Sequence, residues 1–362
     1  MLFRIVVLAL ILCPHLAWCA NQGMVVTSLD KDYETRLNQA AANGYGLTDV
    51  FVFVSDVDEN HARTAGESGW GADYSEALLF VLRPSSQHLS YKVMTVLDLI
   101  GAEKQLNAAG AQGYAVHGSD VFMLRRYGWE LSRVGYTIVL QQDTSHTYEF
   151  RNVDATRRGF GEQVTKAQSE GFTVVQYLSN GIFVLQREKG VRSGIPSHFS
   201  VVQDEDPHRV EKALNDSGAK GFAARFITPV RSKSTSGMTT TVISELQAGR
   251  FEYRVLLSDR LSQLQDALAQ TSKAGFCIVP SGVFGIRRRL LRDPRGLVSL
   301  PDTAMLIMQK AGASGLCDYE LEMRGDAKQA LERISELAGA GKEIAGIAST
   351  PPAQFIIIRV NP

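Results

Sequence analysis

The chain is short of several things, and each shortage narrows what it does. It has no excess of charge, since 38 Lys and Arg stand against 38 Asp and Glu. Overall charge therefore argues for neither a nucleic acid nor an acidic surface as partner. No later segment approaches the roughly 20 apolar residues of a membrane span. The sequence holds no Gly-x-Ser-x-Gly elbow and no His-Glu-x-x-His zinc helix, and Gly339-Ala340-Gly341-Lys342 lacks the earlier glycine and following Ser or Thr of a phosphate loop. His61, His88, His117, His146, His198 and His208 are scattered singly through polar stretches and read as surface or turn residues. No catalytic residue, metal site or cofactor is assigned. Cysteines number four, two of them in the first 19 residues, which leaves Cys277 and Cys317. Both fall on expected strands of neighbouring units; an oxidising compartment permits them to pair, and otherwise they are small buried hydrophobes.

What is present begins with a leader. Arg4 precedes an apolar run from Ile5 to Leu12, followed by Pro14, Ala17, Cys19 and Ala20, which is a signal-peptide pattern. Cleavage after Cys19 fits best, and the bulk of Trp18 argues against a lipid anchor at Cys19. The expectation is an exported bacterial protein, periplasmic or secreted, with a leader at 1–19 and no transmembrane span in the mature chain. The remaining residues, about 340, exceed what one core usually serves, so two domains are expected.

A helix end recurs along the whole chain. Leu37-Asn38 precedes Gly44-Tyr45, and Leu106-Asn107 precedes Gly113-Tyr114. The frame returns at Val164 with Gly171-Phe172, Leu214-Asn215 with Gly221-Phe222, Leu268 with Gly275-Phe276, and Ile334 with Gly341-Lys342. The apolar residue seven before the glycine belongs to a buried helix face, and glycine ends the helix at positive φ. Leu261, Leu264 and Leu268, and likewise Ala327, Leu331, Ile334 and Leu337, keep helical spacing. Asp206 followed by Pro207 marks a helix start.

Before the helices stand short strands such as Tyr91 to Met94, Tyr148 to Arg151, Phe251 to Val255 and Asp318 to Leu321. After them comes a hairpin whose second arm reads Leu79 to Arg83, Val121 to Arg125, Ile182 to Leu185, Val283 to Arg287 or Phe355 to Arg359, with turn chemistry at Ser179-Asn180-Gly181 and Ser281-Gly282. The fold class is therefore α+β: six β-α-β-β units, each an antiparallel sheet with a helix on one face. Units one and four enlarge the hairpin loop (56–75 and 231–238), and units two and five add a strand (136–141 and 304–309). These decorations and the near-constant spacing of Gly44 to Gly221, Gly113 to Gly275 and Gly171 to Gly341 imply two similar three-unit blocks, 20–189 and 190–362.

The aromatic-acidic opening strand, the Leu-Asn helix end before Gly-aromatic and the strand ending Phe-x-x-Arg, best seen from Phe251 to Arg287 and Tyr91 to Arg125, resemble domain-of-unknown-function family 4177. Its members are single short β-α-β-β domains. The resemblance implies the fold of the unit and carries over no catalytic residue.

Three features are candidates for binding. Arg125 and Arg126 recur in position as Arg287 and Arg288, guanidinium pairs suited to phosphate or carboxylate or, alternatively, solvated strand ends that discourage edge pairing. Trp70 and Tyr74 lie in the enlarged loop, as exposed anchors or folded back on the sheet. Asp56, Asp58, Asn60 and Glu67 approximate a calcium loop, but His61 stands where the loop needs glycine, so a solvated acidic loop is the better reading. Together these expectations give a non-enzymatic repeat protein with a binding or structural role in the envelope. The partner class is an unknown envelope protein or an anionic polymer. The alternatives are a hydrolase with a cleft between the blocks and an anionic-lipid binder acting through the arginines.

Overall fold

The computed structural model describes residues 22–27, 32–55, 75–96, 99–116, 121–122, 136–157, 159–178, 182–190, 198–231, 238–258, 260–286, 291–293, 296–298, 303–311, 317–324, 327–350 and 353–361. The protein is mixed α+β, with six helices and seven small antiparallel sheets among these residues. In sheet one, β1 (Gln22–Thr27) leads through α1 (Tyr33–Ala42) to β2 (Tyr45–Ser55) and β3 (Ser75–Pro84). Sheet two has β4 (Tyr91–Val96), α2 (Leu99–Gly110), the short β5 (Tyr114–Ala115) and β6 (Val121–Phe122), and β7 (Tyr136–Gln142). Sheet three has β8 (Tyr148–Asp154), α3 (Phe160–Ser169), β9 (Thr173–Leu178) and β10 (Ile182–Glu188). Sheet four has β11 (Phe199–Asp204), α4 (Pro207–Gly218), β12 (Phe222–Arg231) and β13 (Met238–Leu246). Sheet five has β14 (Phe251–Ser258), α5 (Leu261–Lys273), β15 (Cys277–Ile286) and β18 (Thr303–Ala311), with the two-stranded ribbon β16 (Leu291–Asp293) and β17 (Gly296–Val298) between the last two. Sheet six has β19 (Asp318–Arg324), α6 (Ala327–Gly339), β20 (Glu343–Thr350) and β21 (Ala353–Asn361).

Apart from the ribbon, every sheet has the strand latest in the chain in the middle and the earlier strands on its flanks, sheet two having β5 and β6 where the others have one strand. The helix always joins the two flanking strands, which cannot be linked by a tight turn. Each helix ends at a glycine of positive φ, namely Gly44, Gly113, Gly171, Gly221, Gly275 and Gly341, with φ between +74° and +91°. A side chain would be strained there. At the start of α4 the Asp206 carboxylate accepts from the His208 amide, and Pro207 occupies the first turn, as the sequence indicates.

Two sequence expectations are corrected. The strand 283–287 was expected as the second arm of a hairpin, with 304–309 as an addition. Instead Val283–Ile286 belong to β15, which begins at Cys277 and pairs with β18 on both sides of an irregular stretch at 279–282, and β18 is the central strand of the sheet. Ser281-Gly282 is thus no turn. Glycine is needed at 282 because a Cβ would meet the Val279 and Ile307 carbonyl oxygens at 2.7 and 2.8 Å. In the same way β6 pairs with β7, so 136–141 is the middle of sheet two. Long insertions before these central strands hid the common order. The Ser179-Asn180-Gly181 turn lies outside the described residues.

The second correction concerns the faces. Each sheet is covered on both sides, its own helix on one and the preceding sheet's helix on the other. On β10, Phe183 and Leu185 enter the core that holds Val164 of α3, whereas Ile182 and Val184 enter the core that holds Leu106 of α2. On β18, Leu306 and Met308 join Leu264 and Leu268 of α5, while Met305 and Ile307 join Val210 and Leu214 of α4. Apolar runs such as Ile182-Phe183-Val184-Leu185 follow from this, because a strand buried on both faces has no polar alternate. Each such side chain contributes roughly 1.5–3 kcal/mol of burial.

Every helix also contacts the first strand of the sheet that follows: α1 meets β4, α2 meets β8, α3 meets β11, α4 meets β14 and α5 meets β19. The last helix, α6, lies against β1, so the chain of contacts returns to its start. On the other flank the strands that follow the helices neighbour one another, with β9 beside β12, β12 beside β15, β15 beside β20 and β20 beside β2.

The close approach of helix to following sheet gives a testable expectation. A Cβ at Gly218 would press on the Phe251 carbonyl oxygen and stand 2.8 Å from the Tyr253 ring. Gly218→Ala is expected to lower stability by about 1–3 kcal/mol in urea unfolding. Gly161→Ala is the control, since a Cβ there meets nothing within 4 Å, and it is expected to be neutral or slightly stabilising.

Candidate functional site

The residues singled out from sequence for binding, Trp70, Tyr74, Arg125, Arg126, Arg287 and Arg288, lie outside the described residues, as does the acidic loop 56–67. Among the described residues no group of three or more His, Cys, Asp or Glu side chains is placed to hold a metal ion. A recurring set of hydrogen bonds runs between successive sheets.

Three helices carry the same device. Asn38 of α1 donates from Nδ2 to the Tyr91 carbonyl oxygen at 2.8 Å, and its Oδ1 accepts from the Tyr91 amide at 2.8 Å. One turn earlier, Glu34 accepts the Val93 amide at 2.7 Å. Asn107 and Glu103 of α2 repeat this on Phe150 and Asn152, at 2.9 to 3.0 Å. Asn215 and Glu211 of α4 repeat it on Tyr253 and Val255, at 2.8 to 3.1 Å. The receiving strand is the outer edge of its sheet, with amides and carbonyls that no other strand pairs. A carboxamide presents one donor and one acceptor in the spacing of a backbone, so it stands in for the missing neighbour. The leucine before each asparagine is fully buried and fixes the helix so that the asparagine meets the edge.

A second contact crosses the same junctions. The strand after the helix is irregular at its start: pairing skips Thr48 in β2, Val175 in β9, Arg225 in β12 and Ala345 in β20. Each skipped residue is the fourth after the helix-ending glycine. Beside it, the Leu47 amide donates to the Tyr91 hydroxyl at 2.8 Å, and the Ala224 amide donates to the Tyr253 hydroxyl at 2.7 Å. The equivalent Ile278 amide donates to the Tyr319 hydroxyl at 2.9 Å. A bulge leaves an amide without a ladder partner, and the next sheet supplies one. Where that aromatic is Phe150 and has no hydroxyl, Gln186 from the adjoining strand accepts the Val116 amide at 2.8 Å. Burial pushes the hydroxyls of Tyr253 and Tyr319 above the ordinary tyrosine range, so they stay neutral hydrogen-bonding groups.

Two of the aromatics that follow helix-ending glycines, Phe172 and Phe276, are each covered by two cations. Arg151 and Arg187 lie over Phe172 at 4.5 and 4.6 Å, and Arg254 and Lys310 lie over Phe276 at 5.7 Å. The guanidiniums are held by carboxylates, Arg151 by Glu170 and Arg187 by Glu149. At the junction of sheets five and six, Cys277 and Cys317 form a disulfide with a Cα separation of 5.4 Å.

One titratable cluster is exposed, in the turn between β7 and β8. The Asp143 carboxylate accepts from the Tyr148 hydroxyl at 2.6 Å and faces His146 Nδ1 at 2.8 Å, while His146 Nε2 lies 3.4 Å from Glu188. The Tyr148 and His146 bonds hold Asp143 well below the usual carboxylate range, and the Asp143 bond raises His146 above its ordinary value. The residues suit a turn lock, and their exposure leaves them without the dry pocket that acid-base catalysis favours.

No family model, no curated protein and no solved structure matches the chain.

Two outcomes follow. Asn215→Ala leaves the Tyr253 backbone groups without a partner at a half-buried edge and is expected to cost about 1–3 kcal/mol in urea unfolding. Because its pKa is raised on folding, His146 adds stability that is complete below pH 6.5 and lost as pH rises through the folded value. Asp143→Asn is expected to bring the His146 titration, followed by NMR, back toward 6.5.

Proposed function

We propose that the protein is an exported, non-enzymatic scaffold of six β-α-β-β modules, with a binding or structural role in the bacterial envelope. The modules are divergent relatives of domain-of-unknown-function family 4177, grouped as two blocks of three at 20–189 and 190–362. The common strand order of the six sheets supports the modules. The blocks are supported by the junctions, because Asn38 and Asn215 clamp equivalent ones, whereas α3, which contacts sheet four, has Thr165 and Gly161 at the clamp positions. The partner class is an envelope protein or an anionic polymer. Arg125 and Arg126 after β6, Arg287 and Arg288 after β15, and Trp70 and Tyr74 between β2 and β3 are the contact residues of this reading.

The observation that carries the proposal is where the polar side chains go. Asn, Glu, Tyr and Gln of the repeated frame all close junctions between sheets, and an assembly that fixes module to module in this way suits a rigid display surface. No helix among the described residues is long and apolar enough to cross a membrane, which is compatible with a leader that is removed.

Expression of the whole chain with its leader tests this reading. The product is expected in the periplasmic or secreted fraction with Ala20 as its first residue, and to sediment with envelope material until Arg287 and Arg288 are both changed to Ala. Retention of residues 1–19 on a cytosolic product would overturn the export, and turnover of an envelope substrate would overturn the non-enzymatic role.

A further inference from the structure

The junction of sheets five and six departs from the three clamped ones. On α5 the clamp positions hold Gln265 and Ala269 in place of Glu and Asn, although α5 still lies against β19. This is the junction with the disulfide. Cys277 is the second residue after its helix-ending glycine, and Cys317 is the second before Tyr319. The same positions hold a small and a large residue at the clamped junctions: Gly46 with Leu89, Ala115 with Tyr148, and Ala223 with Phe251. Gly46 and Leu89 face each other, since a Cβ on Gly46 would lie 2.8 Å from Leu89 Cδ1, and Ala223 and Phe251 share one core. The cysteines therefore occupy a packing pair that recurs across junctions, and they are joined where the hydrogen-bonded clamp is missing.

We propose that the Cys277–Cys317 bond is a redox latch that stands in for the absent clamp. Oxidised, it holds sheet six on α5. Reduced, the junction keeps the Ile278 amide on the Tyr319 hydroxyl, the packing of β15 beside β20, and the apolar core of Leu264, Leu268, Leu321 and Ile357. That junction loosens while the clamped ones stay shut. In the reduction a dithiol gives up two electrons and two protons, the S–S bond breaks to two thiols, and the donor leaves as its own disulfide. In a reducing compartment this junction is thus loosened, and it closes when a small-molecule disulfide takes two electrons and two protons from the thiols and leaves as its dithiol. The inference rests on the equivalence of modules proposed above but not on export or on any partner.

Hydrogen exchange followed by mass spectrometry on the full chain, with and without a dithiol reductant, tests it. Reduction is expected to speed exchange in β19 and α5 by about tenfold or more, while β14, behind Asn215, is unchanged. A chain with Cys277→Ala and Cys317→Leu restores the small-large pair and is expected to behave as the reduced protein under both conditions. Adding Gln265→Glu and Ala269→Asn to that chain is expected to recover the protection. Equal protection of β19 in both redox states overturns the latch, and so does uniform loss across all six sheets. Selective loosening that the added pair does not repair overturns the equivalence of the modules, and with it the stand-in role of the bond.

Discussion

A three-stranded antiparallel sheet has two apolar faces and two open edges, and this molecule is organised by the need to cover all four. One helix per sheet is not enough. Each helix therefore serves twice, packing on the sheet it belongs to and on the one after it, and the central strands become apolar on both sides. The outer edge is then met by the same helix through Glu and Asn, so one element covers a face and an edge together. Uncovered edges of this kind invite pairing with other chains.

The cost of the arrangement falls on the strand after the helix. It must bend at once to return along its sheet, and the skipped residue four positions past the glycine provides the bend. The amide at the third position past the glycine is met by the hydroxyl of Tyr91, Tyr253 or Tyr319 of the next sheet. Burial keeps the Tyr253 and Tyr319 hydroxyls protonated, and a phenylalanine at 91 or 319 would leave its amide dry. Phe150 is tolerated because Gln186 reaches the Val116 amide instead, and at Ala224 both solutions coexist, with Gln309 Oε1 at 3.0 Å.

The sequence shows much of this and conceals the rest for identifiable reasons. The glycines were legible because only one residue type takes that backbone conformation easily, and all six are where the spacing puts them. The central strands of sheets two and five were misread because insertions separate them from their partners, so that proximity in sequence pointed to the wrong neighbour. The clamp went unrecognised although Leu-Asn was seen three times. A Glu four residues before each Asn was the missing signal, for i and i+4 share one helix face and two polar residues there imply a polar target. The binding residues chosen from sequence lie beyond the described structure. Among the described residues, the recurring Asn, Glu and Tyr groups face a neighbouring sheet.

The contact of α6 with β1 separates this molecule from open repeat arrays. An open array has two ends, needs special terminal units to cover them, and gains or loses a repeat with little penalty. A circuit has no ends to cover, and its number of parts is set by the angle between neighbours. Deleting or inserting one part would leave a gap or an overlap, so added length is accommodated most easily in loops.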